Sequence, residues 1–429
     1  MKTTKFKPSE VGPIPEEWEV KPFSECFTLM RNNTYSRDCL TDLPGSVANV
    51  HYGDVLIRYG AVLDFEKDSV PYLKSGVKPN KDLLKDGDLI FADTAEDETA
   101  GKAVEVQGVR PRMAVAGLHT VACRPQGEIF APRYLGYYIN SAAYHNQLLP
   151  LMTGTKVTSV SRAGFASTYV AIPPKSEQEK IAEALSDVDA LLAAMTKLIE
   201  KKRAIKQGAM QQLLTGKKRL AGFTGKWVEK RLGDACEINP STESVIPEKF
   251  VYVDLESVSG GRLMARKIVL RECAPSRAQR RFVQGDILFQ TVRPYQRNNL
   301  FVDFDAANYV ASTGYAVIRG RALCSCSEFI YHIIHVDDFV NGVLDRCTGT
   351  SYPAINPGKL AEIIVGIPED VAEQKAIASV LSDMDAEIVA LEAKRAKYES
   401  IKQGMMQELL TGKTRLVETG LTGFTGLWK

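Results

Sequence analysis

Two stretches of the chain carry apolar residues at alternating spacings of four and three. The first runs Ile181, Leu185, Val188, Leu192, Met195 and Ile199; the second runs Ile377, Leu381, Met384, Ile388 and Leu391, continuing to Tyr398 and Met405. That alternation lays an apolar stripe along a helix and predicts a coiled-coil seam. Ser176 with Glu179 makes a capping-box pattern, Asp370 with Glu373 a looser one, and Gly216 and Gly412 stand where each helix would close in a left-handed cap. Each helix is thus expected to span roughly 40 residues, about 55 Å long. Elsewhere the pattern shortens to β-like runs, as at Asp88 to Phe91, His119 to Cys123, Phe250 to Leu255, Asp286 to Phe289 and Tyr315 to Ile318. Helical candidates at Pro132 to Leu148 and Cys326 to Leu344 complete an α+β reading.

The two helical stretches are copies of each other. Glu177-Gln178-Glu179-Lys180-Ile181-Ala182 through Asp189 returns as Glu373-Gln374-Lys375-Ala376-Ile377-Ala378 through Asp385, and Ile205-Lys206-Gln207-Gly208 through Lys217 returns as Ile401-Lys402-Gln403-Gly404 through Lys413. The repeat reaches into the flanking segments. Asp86-Gly87-Asp88-Leu89-Ile90-Phe91 matches Gln284-Gly285-Asp286-Ile287-Leu288-Phe289, and Thr153-Gly154-Thr155 matches Thr348-Gly349-Thr350. A period this long fixes an architecture. We expect a globular domain over 1–170, a spacer helix over 171–216, a second domain over 217–366, a second helix over 367–412 and a tail over 413–429. The fold class is α+β, with two mixed domains separated by two long antiparallel coiled-coil helices in a pseudo-twofold repeat. All three tryptophans (Trp18, Trp227, Trp428) lie in related contexts, so the tail repeats the start of a domain and Thr419 to Lys429 is expected to pack near the first domain.

Length and composition fit this plan: 429 residues exceed one compact core, and the 45% hydrophobic and 25% charged fractions are ordinary for a folded soluble protein. No run of apolar residues is long enough to span a membrane and the N-terminus is polar, which leads us to expect a cytoplasmic protein. Eight cysteines without Cys-x-x-Cys pairs point to free thiols rather than disulfides or zinc. A net charge of only +2 gives no global case for nucleic acid, so the case must be local.

The strongest local case is Gln290-Thr291-Val292-Arg293-Pro294-Tyr295-Gln296-Arg297-Asn298-Asn299. Arginine reads guanine bidentately, Gln and Asn read adenine, and tyrosine stacks or packs on sugar. Arg293, Tyr295, Gln296, Arg297 and Asn298 are therefore candidate base contacts, with Arg280, Arg281 and Arg277 as phosphate contacts; the competing reading is a solvated hairpin. The matching stretch of the first half, Ala92 to Thr99, is acidic and wrong for phosphate. Arg58, Tyr59, Lys67, Lys74 and Lys78 are the alternatives there. A second strip, Lys156 and Thr158 with the counterpart Ser351 and Tyr352, sets small or hydroxyl residues beside Gly154 and Gly349, where a backbone could approach DNA; a plain turn is the competing reading. On the helices, the repeated patches around Gln207 and Gln403 suggest two equivalent docking sites for two copies of one partner. No methyltransferase, P-loop or Gly-rich cofactor motif occurs, and no catalytic residue or metal ligand is assigned. Asp254 and Glu256 with Lys267 (nuclease-like), and His332 and His335 near Cys324 and Cys326 (metal-like), are read as ordinary packing.

Taken together, the paired Ile-Pro…Glu-Gln…Ile-Ala…Leu-Ser-Asp-x-Asp helices ending in Leu-Leu-Thr-Gly-Lys, with the two Gly-Asp-hydrophobic-hydrophobic-Phe segments, resemble the specificity subunits of type I restriction-modification systems over essentially the whole chain. The resemblance implies two target-recognition domains that each read half of a bipartite, asymmetric site in double-stranded DNA. It also implies antiparallel spacer helices over Glu177 to Leu214 and Glu373 to Leu410, on which two methylation subunits dock. No cofactor is expected in this chain. S-adenosylmethionine would come with the methylation subunits, and ATP and magnesium with two restriction subunits where those are present. A 55 Å rod corresponds to at most about 16 base pairs. The alternatives left open are the DNA-binding part of a nuclease or methyltransferase, and an interaction scaffold without sequence preference.

Overall fold

The computed structural model describes residues 4–77, 82–241 and 245–417. The chain divides into two compact units, Met1–Met195 with Lys394–Lys429, and Thr196–Ala393. Two helices of 39 residues, α1 (Lys175–Leu213) and α2 (Val371–Leu409), each contribute to both.

In the first unit a five-stranded sheet runs in the order Phe27–Leu29, Thr120–Pro125, Leu89–Ala92, Ala103–Gln107, Val62–Asp64, and a four-stranded sheet in the order Met113–Ala116, Val47–Val50, Tyr72–Leu73, Leu40–Thr41. The unit is closed by Glu19–Pro22 pairing antiparallel with Tyr169–Ile172, the strand that feeds α1. The second unit repeats the plan with four strands in each sheet, and closes with Trp227–Arg231 on Ile364–Pro368, the strand that feeds α2. In both, the four-stranded sheet that contains Val47–Val50 or Lys249–Val253 holds a parallel pair, with Met113–Ala116 and Tyr309–Ser312 respectively, and the five-stranded sheet of the first unit adds a second, Ala103–Gln107 with Val62–Asp64.

The repeated sequence motifs mark places where packing demands particular chemistry. Gly87 and Gly285 turn with φ +87° and +88°, a region nearly closed to other residues, and deliver Asp88 and Asp286 into the core. There each carboxylate takes a bidentate arginine, Arg124 at 2.8 and 2.7 Å and Arg319 at 2.7 and 2.8 Å. The Glu-Gln pair opening each helix is buried too. Gln178 accepts from the Ala131 amide and donates to the Ile129 and Pro173 carbonyls; Gln374 accepts from Cys326 and donates to Cys324 and Pro368. Glu177 receives Arg415 at 2.7 and 2.9 Å and the Trp18 indole at 3.0 Å, whereas Glu373 receives Arg219 at 2.6 Å twice.

Several expectations shift. Ser176 lies inside the first turn of α1, which starts at Lys175, while Asp370 does cap α2 by accepting from the Ala372 amide. Gly216 and Gly412 close the helices with φ +67° and +68°. Of the apolar stripe, Ile181, Leu185, Met195, Ile199, Ile377, Leu381 and Ile388 are buried and Val188, Leu192, Met384 and Leu391 half-buried. The stripe is not a helix-to-helix seam throughout. Ile181 and Leu185 join the globular core of the first unit with Leu409 and Leu410, and Ile377 and Leu381 join that of the second with Met210, Leu213 and Leu214. The single helices expected over 132–148 and 326–344 are each broken, into Tyr134–Ile139 and Ala142–His145, and into Ser327–Ile333 and Asp337–Leu344. At the first break the Asn140 side chain bonds Ala103 in both directions, fixing the chain to the sheet instead of continuing the helix. Lys78 and the segment Thr419 to Lys429 lie outside the described residues.

Candidate nucleic-acid interface

In the second unit the strand Ile287–Gln290 runs on into Thr291, whose carbonyl accepts from Ile355 at 3.0 Å; Val292 bridges Ala354, and the Arg293 amide donates to Pro353 at 2.7 Å. Residues 348–354 form a hairpin closed by two hydrogen bonds between Thr348 and Ala354, with Gly349 at φ +88°. The two candidate strips, read separately in the sequence, are therefore one platform. Arg293 adopts φ +54° and lays its guanidinium 4.3 Å from the centre of the Tyr352 ring. Its Nε is buried without a hydrogen-bond partner. Tyr295, Gln296, Ser351 and Tyr352 are exposed beside it, and Asn298 is half-buried.

The remaining candidates in this unit are held by the fold. Arg297, also left-handed at φ +53°, donates to the His335 carbonyl at 2.9 Å and to Asp337 at 2.6 Å, pinning the turn to the adjacent helix pair. Gln296 accepts from Gln290, whose own carbonyl oxygen accepts from the Asn298 amide. Arg281 donates to the Tyr309 and Ala307 carbonyls, and burial lowers its pKa; Arg280 keeps a buried Nε without a partner. Asp254 takes Lys267 at 2.6 Å and Ser257 at 2.6 Å; burial opposes ionisation, but these donors hold the carboxyl below its ordinary range. His332 bonds Ser382, and His335 bonds the Tyr331 carbonyl and Asn299; burial, then Lys206, pushes His332 down to about 3. Among the described residues no group of three or more His, Cys, Asp and Glu could hold a metal.

The first unit builds the same platform with other side chains. Thr94 and Ala95 pair with Ser159 and Thr158, the Val160 amide donates to the Asp93 carbonyl, and Thr153 bridges Ser159. Gly154 is obligatory there, because at φ +110° an added Cβ would sit 1.9 Å from the Val157 carbonyl oxygen. Lys156 is exposed and Thr158 half-buried. Arg58 pairs with Asp54 at 3.6 Å, Lys67 with Asp64 at 2.9 Å, and Lys74 donates to the Asp38 carbonyl at 2.5 Å, so each cation is held by its own unit. Tyr59 is not a surface candidate: it is 5% exposed, with its ring in the core and its hydroxyl on the Ser69 carbonyl. Sequence reasoning missed His119, a non-glycine residue at φ +53° whose ring lies 3.6 Å from Asp93 and edge-on to Tyr52 at 5.3 Å. Only the pairing of Asp93 with the His119 carbonyl places it beside the platform, and nothing local signals that.

On the helices Gln207 and Gln403 are exposed, and an added Cβ at Gly208 or Gly404 would meet nothing within 4 Å. The neighbouring lysines have an internal reason to repeat. Lys402 pairs with Asp189 at 2.6 Å in the first unit, where Tyr137 also donates to Asp189 at 2.8 Å; Lys206 pairs with Asp385 at 2.5 Å in the second. The repeated Ser-Asp-x-Asp thus anchors each globular body to its helices, a role the apolar stripe did not reveal.

The model of the type I restriction modification DNA specificity domain matches this sequence twice, over residues 15–206 and 224–403. The chain belongs to this specificity-domain family. Each match takes in one platform-bearing body and most of the helix that follows it. Over 97% of its length the chain is 24% identical to the putative type I restriction enzyme MjaX specificity subunit of Methanocaldococcus jannaschii, covering 98% of that protein. It is also 24% identical to the EcoKI specificity subunit of Escherichia coli, over 65% of this chain and 62% of the relative. The fold is that of the type I S subunit from M. genitalium, with a TM-score of 0.58 at 14% identity, covering 95% of this chain and 98% of the other. A chain of a second type I system gives a TM-score of 0.54 at 17% identity, covering 94% and 99%. The two specificity domains share a scaffold, and their platforms carry different side chains.

Proposed function

We propose that this chain is the DNA-reading specificity subunit of a type I restriction-modification complex, each unit addressing one half of a bipartite, asymmetric site in double-stranded DNA. The observation that carries the reading is the duplicated platform, 93–95 with 153–160 and 291–293 with 348–355, kept in pairing geometry while its exposed residues differ. The antiparallel helices act as coiled-coil spacers: at 1.5 Å per residue, 39 residues extend about 58 Å, which sets the scale of the gap between half-sites. Their repeated outer patches at Gln207 and Gln403 are docking points for two methylation subunits, which supply S-adenosylmethionine; two restriction subunits would add ATP and magnesium. The chain itself carries no chemical step.

Single-molecule sequencing of adenine methylation in cells expressing the chain with its methylation subunit tests this reading. A gapped motif with two dissimilar halves is expected. An ungapped palindrome, or methylation without sequence preference, would sink it. The purified chain alone, given magnesium or S-adenosylmethionine, should neither cut nor methylate.

A further inference from the structure

We propose that Arg293 reads the guanine of a G·C pair in the half-site addressed by the second unit, and that Tyr352 is the positioning residue that holds it ready. This rests on the DNA-reading function above and names one base contact within it. Aligning the two platforms through their bridges places Ala95 opposite Thr158 in the first unit where Arg293 lies against Pro353 in the second, and Val157 where Tyr352 stands. The shared scaffold thus needs neither the arginine nor the ring. Arg293 also holds a left-handed backbone, an arrangement unfavourable for a side chain with a Cβ, whereas Ala95 is not among the positive-φ residues.

The side chain is poised rather than spent. Arg281, Arg297 and Arg319 of the same unit donate to carbonyls or carboxylates, but among the described residues the Arg293 guanidinium makes no ion pair or side-chain hydrogen bond and its Nε is buried without a partner. An unsatisfied buried Nε is costly, so this placement of the guanidinium is not one that folding by itself favours. The guanidinium carbon lies 4.3 Å over the centre of the Tyr352 ring, which covers one face, and no described residue bonds the Nη edge. That edge presents parallel N–H groups, which fit the two acceptors O6 and N7 of guanine; adenine sets an amino donor against one of them.

The test uses the full chain co-expressed with its methylation subunit, reading the methylated motif by single-molecule sequencing. The wild-type motif is expected to hold a G·C pair in one half. Arg293→Ala should make that position degenerate, with discrimination falling about 5- to 150-fold and the other half-site unchanged. Arg293→Lys should relax the same position, because an ammonium cannot make the forked contact. Tyr352→Ala should relax it by a smaller factor, about 2- to 5-fold, while Tyr352→Phe keeps the ring and the motif. A phosphate contact would instead weaken methylation at all sites and leave the motif intact. That outcome, an Arg293→Ala motif identical to wild type, or a wild-type motif without a G·C pair in the affected half overturns the assignment. Absence of any methylated motif from the wild-type chain would mean that the DNA-reading function itself had failed.

Discussion

Arg415→Ala probes how the first unit holds the last turn of α2. Glu177 is 1% exposed and its carboxylate is satisfied by Arg415 at 2.7 and 2.9 Å and by the Trp18 indole at 3.0 Å; Arg415 also reaches Glu17 at 2.8 Å. Burial of a carboxylate is tolerable only while it is paired, so removing the guanidinium leaves a charge with one neutral donor. A loss of about 3–5 kcal/mol is expected from breaking such a pair. Arg219→Ala should destabilise the second unit in the same way, because Glu373 is fully buried and, among the described residues, the Trp227 indole that corresponds to Trp18 makes no hydrogen bond. Urea unfolding followed by tryptophan fluorescence reads both, since the arginines sit 6.0 Å from the centres of the Trp18 and Trp227 rings. Combining Arg415→Met with Glu177→Gln removes both charges and should recover most of the loss. A single-variant cost below about 1 kcal/mol, or a double variant as unstable as the two singles summed, would refute the claim that this pair clamps the helix end.

Three further outcomes follow from the same physics. His332, buried and held down to about 3, binds a proton in the unfolded chain before the folded one, so the stability it contributes is present above pH 6.5 and is lost as pH falls toward 3. His332→Gln should therefore flatten the acid side of the urea midpoint against pH, by on the order of 5 kcal/mol at most; an unchanged profile would exclude this histidine as the cause. Gly208→Ala and Gly404→Ala, where open space adjoins a helix interior, should each raise the stability of the isolated chain by about 0.5–1 kcal/mol, yet weaken recruitment of the methylation subunit in a co-purification assay if bare backbone there meets a partner. Arg297→Ala should loosen the whole 293–297 turn by removing its bonds to His335 and Asp337, relaxing several positions of one half-site together in the methylated motif; a change confined to a single base would make Arg297 a direct reader instead.

Much of the architecture is legible in the amino-acid sequence. The two long helices, their glycine closures and the duplication of each body follow from 4-3 periodicity, capping residues and self-similarity, all of which act over one or two turns or are preserved by copying. The platform stretches were singled out too, but as separate strips, because Arg293 and Tyr352 lie far apart in the chain and only strand pairing brings them to 4.3 Å. The repeated Lys-Gln-Gly patches suggest a docking face, whereas Lys206 and Lys402 answer Asp385 and Asp189 inside each unit.

The sequence by itself determined the elements and their repetition, because local backbone preference and hydrophobic period do not depend on distant residues. Tertiary structure alone decided how individual side chains are used. It buried Tyr59, tied Arg281 and Arg297 to carbonyls and a carboxylate, and left Arg293 with donors to spare. Whether a cation is free depends on which acceptors the folded chain brings within about 3 Å of it, and that competition is settled by long-range packing.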